Sequence, residues 1–164
     1  MAYLLDANVF IAAKNLHYGF DFCPAFWDWL VKKQAEGIVF SVEKVRDEVL
    51  SVADDLADWI DQRDPSFFLA VDATSFPSLS AVSGWATGNR YDQAAVITFL
   101  QIADYYLVAQ ALAGKHTVVT HEVPSATTRK IKIPDACIGL GISFMTPFQM
   151  LRRERARFIL GPAP

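Results

Sequence analysis

A short apolar run that ends in a carboxylate constrains this chain more than anything else in it. Tyr3-Leu4-Leu5 is followed at once by Asp6-Ala7-Asn8, and then by Val9-Phe10. The pattern reads as strand, polar turn and helix. In a parallel sheet that turn lies at the carboxyl end of its strand, the edge at which open α/β folds place their ligands. Asp6 is therefore a candidate for chemistry. A purely local reading competes with it: Asp6 or Asn8 caps the following helix, because both side chains accept bonds from free backbone N–H groups there. Whether further carboxylates reach the same edge decides between the two.

The rest of the chain repeats the alternation. Helices are expected from Val9 to Lys14 and from Pro24 to about Glu36, where Gly37 stops the second. The segment Phe20 to Leu30 holds a Phe/Trp cluster that reads as core, with an exposed stacking platform for bases as the alternative. Ile38 to Val42 reads as a strand, followed by one long helix in which Val45, Val49, Val52, Leu56, Trp59 and Ile60 form an apolar stripe. On that wheel Glu48 and Asp55 sit at the stripe's margin, and only Glu48 lies near the helix start. A strand is expected over Phe67 to Val71, then helices over Ser75 to Ala86, Asp92 to Gln101 and Asp104 to Ala113, the last closed by Gly114. Thr117 to Thr120 and Ile142 to Met145 read as further strands, and Pro147 opens a terminal helix bearing Arg152, Arg153, Arg155 and Arg157.

These elements predict a three-layer α/β/α sandwich with a mainly parallel sheet, in one domain over residues 1–164. Four carboxylates then share an edge. Asp6, Glu48 and Glu122 each follow a strand, and Asp104 opens a helix that is apolar almost all round and must be buried. A buried carboxylate has to be paired, hydrogen-bonded or bound to metal. Gathered without a counter-charge the four would resist ionisation. Mg²⁺ or Mn²⁺ resolves that conflict, since both favour oxygen ligands and suit phosphate substrates. Each acid also has a local reading, as a helix cap or a solvated surface group.

Composition narrows the classes. The net charge of −3 advertises no general affinity for nucleic acid, and the basic cluster near the C-terminus reads as a solvated face. Cys23 and Cys137 cannot form a C-x-x-C zinc half-site and suggest reduced thiols, with pairing between them left open. Asp6 interrupts the first apolar segment, so neither a signal peptide nor a membrane span is supported, and a soluble, cytoplasmic protein is expected. There is no P-loop, no G-x-G-x-x-G after the first strand and no G-x-S-x-G elbow. His121 offers a transition-metal ligand, although a lone histidine at a strand end is usually structural.

Leu4-Leu5-Asp6-Ala7-Asn8, Glu48 within Val45 to Val49, Ala103-Asp104-Tyr105 running to Ala111, and Val118-Val119-Thr120-His121-Glu122 together resemble the PIN-domain ribonucleases, in order and spacing over nearly the whole chain. The resemblance implies a Mg²⁺- or Mn²⁺-dependent endoribonuclease with Asp6, Glu48 and Asp104 as core ligands and Asn8 and Thr120 in support. Glu122 stands where the family more often has Asp, so either Glu122 or Asp135 completes the site. It further implies a toxin of a toxin–antitoxin pair, with RNA as substrate, an antitoxin protein as partner and a homodimer as an option. Two other readings stand beside it. A catalytically inactive PIN-like scaffold would bind a partner protein or RNA, and a haloacid-dehalogenase-type phosphohydrolase would need a second Asp where this chain has Asn8.

Overall fold

The computed structural model describes residues 1–161. Five strands, β1 (Tyr3–Leu5), β2 (Val39–Val42), β3 (Phe68–Leu69), β4 (Thr117–Val119) and β5 (Phe144–Met145), form one sheet in the order β3-β2-β1-β4-β5. All neighbours are parallel, with Leu4 registered against Phe40 on one side and Val118 on the other. The three central strands are buried on both faces, which is why they read as short continuous apolar runs rather than alternating ones. Helices flank the sheet, giving the expected α/β/α sandwich.

α1 (Ala7–Ala12) leaves β1 and runs straight into a π-helical turn, Ala13–His17, in which the Tyr18 N–H donates to the Ala13 carbonyl at 2.7 Å. α2 (Pro24–Ala35) carries Phe26 and Trp27 into the core, the Trp27 indole N–H donating to the Tyr18 carbonyl. The expected aromatic core is therefore present, while Phe22 at 67% exposure stays outside it. Gly37, just after α2, takes the left-handed backbone (φ +74°) that a residue with a Cβ rarely adopts.

The long helix expected after β2 is two: α3 (Glu43–Leu50) and α4 (Asp55–Asp61). Asp54 breaks it. Its extended backbone presents a carboxylate that accepts from the Ala57 N–H at 2.9 Å and from Lys14 Nζ at 2.9 Å, a partner 40 residues away. Asp55 pairs with the same lysine, so its place on a continuous wheel beside Glu48 was illusory. The strand expected over Phe67 to Val71 shrinks to two residues, because Asp64 accepts from the Ser66 N–H and turns Pro65–Phe67 into a 3-10 helix.

Between β3 and β4 come α5 (Phe76–Thr87), α6 (Gln93–Gln101) and α7 (Ala103–Gly114). α7 buries Leu107, Val108, Ala109 and Ala111, as its composition requires. Lys115 rather than Gly114 takes the left-handed closing position. α8 (Ile133–Leu140) and α9 (Pro147–Arg153) complete the layers, so Arg155 and Arg157 lie beyond the terminal helix. Cys23 and Cys137 are both free, and burial pushes the Cys137 thiol up to about 12. Among the described residues no single helix is long and apolar enough to cross a membrane.

Candidate functional site

The strand order reverses at β1. From it the chain moves outward through β2 and β3, then returns to its other side for β4 and β5. The reversal point, at the carboxyl ends of β1 and β4, is the place where parallel α/β sheets bind ligands. Asp6 follows β1 and Thr120 follows β4, and the two strand ends are bridged where the Asp6 N–H donates to the Val119 carbonyl at 3.0 Å. On the other flank the buried Ser41 hydroxyl donates to the Leu5 carbonyl at 2.6 Å, fixing the last residue before Asp6.

Thr120 is the hub. Its hydroxyl donates to Asp6 Oδ2 at 2.8 Å and accepts from Asn8 Nδ2 and from the Glu122 backbone N–H, each at 3.1 Å. The other end of the Asn8 amide accepts from the His121 N–H at 3.1 Å. Asn8 thus clamps the β4 turn to the start of α1. Asp6 occupies the N-cap position of α1 but makes no capping bond with its side chain, so the local reading of that carboxylate fails.

Asp6 is only 5% exposed. Burial pushes its carboxyl up to about 8, with Asp104 adding to the shift, the Thr120 hydroxyl opposing it and Glu122 adding a further push. Asp104, second residue of α7 and half-buried, rises to about 6, first through burial and then through the charges of Glu122 and Glu48; Lys130 opposes this. Glu48 is exposed on α3, yet protein crowds its carboxyl enough to raise it above the usual range. α3 and α7 pack on each other, which sets Glu48 near Asp104. Asp6 thus feels the charges of Asp104 and Glu122, and Asp104 those of Glu122 and Glu48.

Glu122 and Asp135 behave differently from the other acids. Glu122 Oε2 accepts from the Ile133 N–H at 2.8 Å, at the start of α8, while Oε1 lies 3.5 Å from Lys130 Nζ and 3.9 Å from Lys132 Nζ. Its carboxylate is already engaged by α8 and the basic loop. Asp135 takes the Ser125 N–H on both oxygens, at 3.1 and 3.3 Å, and so organises the loop after β4 rather than joining Asp6. Lys130 and Lys132 were not singled out as site residues by the sequence, since a basic loop gives no sign of which acid it will meet. The His17 and His121 rings lie tilted with their centres 5.5 Å apart, and Phe148 meets both edge-on. No local sequence signal links them, because they are brought together from separate ends of the chain.

The donor set suits a hard divalent cation. It offers oxygen alone, and among the described residues no Lys, Arg or His comes within ion-pair distance of Asp6, Glu48 or Asp104. Left without a cation, Asp6 stays protonated near neutral pH. The acids nevertheless do not form a closed ligand shell: among the described residues no group of three or more His, Cys, Asp and Glu is gathered to hold one ion.

Fold and site define a parallel α/β/α domain with an acidic carboxyl edge at its topological switch point. Within that class the chain belongs to the family described as Domain of unknown function (DUF4411), whose model matches residues 3–158. No curated protein and no solved structure matches it.

Proposed function

We propose that the chain is a Mg²⁺- or Mn²⁺-dependent endoribonuclease of PIN-like type. One observation carries the reading: a buried carboxyl, Asp6, is fixed by the Thr120 hydroxyl at the ends of β1 and β4, in the field of Asp104, and among the described residues no Lys, Arg or His pairs with it. Asp6, Asp104 and Glu48 would hold the metal. Bound there, a divalent ion would supply Lewis-acid stabilisation of phosphoryl charge and a water acidic enough to attack at neutral pH. The chain's own part is positional. Thr120 and Asn8 hold Asp6 and the β4 turn in register, so that its orientation costs no reorganisation during reaction. Lys130 and Lys132 stand at the edge of the acids, where they would attract a phosphate backbone. The toxin role and an antitoxin partner rest on the family resemblance alone.

The test is cleavage of a structured RNA pool with Mn²⁺, Mg²⁺ or EDTA, beside Asp6→Asn and Glu48→Gln. Metal-dependent cutting that disappears in both variants is expected. Cutting that persists in a purified Asp6→Asn protein would overturn the assignment.

One feature favours a second reading, an inactive scaffold that binds RNA or a partner protein. Glu122 is taken up by α8 and two lysines, which leaves three acids where the sequence predicts four. A folded protein that cuts nothing and gains no stability from Mn²⁺ would favour it.

A further inference from the structure

We propose that a slot beside the acidic edge, between α6 and the loop at residues 129–131, receives one base of a single-stranded RNA next to the phosphate that is cut. The slot is a cavity of about 280 Å³. That is the low end of the range for small-ligand sites, room for one ring system and its sugar and not for a base pair.

Its shape follows from the sequence of α6. Ala95, Phe99 and Ile102 recur at helical spacing, and Ala95 and Phe99 are buried with Ile131 from the loop to form an apolar floor. The next row, Ala94 and Thr98, is exposed and short, and this leaves the opening. The loop is pinned against the helix start by the Asp92 N–H donating to the Thr128 carbonyl at 3.0 Å. Floor and rim are therefore preformed.

Charge and position select the occupant. An apolar floor takes the face of any base, and Arg129 and Lys130 at the rim supply the cations that a flanking phosphate requires. Lys130 also reaches toward the acids, its Nζ 3.5 Å from Glu122 Oε1, and Ile102 lies two residues before Asp104 at the head of α7. A base in the slot sets its own phosphate between those cations and the carboxylates. Bases in a duplex are stacked and paired, so the strand must be single. The proposal rests on the ribonuclease reading for the identity of the phosphate, and not for the slot's affinity.

Ala94→Leu/Thr98→Leu fills the slot from two exposed helical positions without adding a ring on which a base could stack. Affinity for a short fluorescein-labelled single-stranded RNA is read by anisotropy in the Asp6→Asn background with Mg²⁺. Filling should weaken binding roughly tenfold with an unchanged salt slope. Arg129→Ala should instead shallow the slope by about 0.7. A 4-thiouridine in the same RNA should crosslink to residues 94–102 or 129–131. Unchanged affinity in the filled variant, crosslinks confined to other peptides, or no RNA bound at all would overturn the slot. Cleavage is scored separately with Asp6 restored. Filled protein that binds and cuts like the wild type sinks the slot and spares the nuclease, whereas RNA bound through the slot but never cut spares the slot and sinks the nuclease.

Discussion

The Thr120 hydroxyl donates to Asp6 Oδ2 across 2.8 Å, joining residues 114 positions apart at the carboxyl ends of neighbouring strands. With Asn8 and the Glu122 N–H on its lone pairs, that one oxygen has every bond it can make. The carboxylate it holds is the most buried acid of the candidate site, so Thr120 fixes its position and favours its charged form, while burial and Asp104 make it reluctant to ionise.

Thr120→Val keeps the shape and removes the oxygen. Asn8 Nδ2 and the Glu122 N–H then lose their acceptor, and the expected cost is about 1–3 kcal/mol by denaturant unfolding. Thr120→Ser, which retains the hydroxyl, should recover most of it. Equal losses in both would show that packing of the methyl group, not the hydroxyl, matters at this position.

Stability should depend on pH in an unusual direction. Folding raises Asp6 to about 8 and Asp104 to about 6, so the folded state binds more protons than the unfolded one across that interval. The stability these groups contribute is fully present below about pH 4 and is lost as pH rises through their folded values. In EDTA, thermal melting should fall between about pH 4 and about pH 8, and Asp6→Asn should flatten the fall and melt higher at its alkaline end. Because burial also lowers His116 and His121, whose contribution runs the other way, the deciding comparison is with Asp6→Asn: a variant whose curve parallels the wild type's over that range would contradict the burial of an unpaired carboxyl.

A divalent cation should reverse that loss. Mn²⁺ ought to raise the melting temperature of the wild type, by an amount equivalent to about 2.7 kcal/mol at a hundredfold excess over its dissociation constant. Asp6→Asn and Asp104→Asn should abolish the rise, and Asp135→Asn should not, because Asp135 is committed to the Ser125 N–H. Equal rises in all four proteins would place the ion elsewhere.

Glu122 separates structure from chemistry. Glu122→Gln keeps an oxygen for the Ile133 N–H and should leave stability within about 0.5 kcal/mol, whereas Glu122→Ala should lose roughly 1–2 kcal/mol. If Glu122→Gln also cuts RNA normally, the residue serves α8 alone; if it is stable but inactive, its charge belongs to the site.

Much of this was legible locally. A strand ending in a polar turn is encoded by a few adjacent residues, so Asp6, Glu48 and Glu122 could be assigned to the carboxyl edge, and Asp104 to the head of a buried helix, from order and periodicity alone. What the sequence could not settle were the partners. Lys14 ends α3 by drawing Asp54 away from a continuous helix, Ser125 takes Asp135 from the candidate site, and α8 and two lysines take one face of Glu122. The sheet order that makes β1 and β4 neighbours, and so allows Thr120 to reach Asp6, likewise emerges only in the folded chain. Hydrophobic period is a property of near neighbours, written into every short window. A hydrogen bond or ion pair to a given carboxylate is instead a choice among many distant donors, and three-dimensional packing makes it.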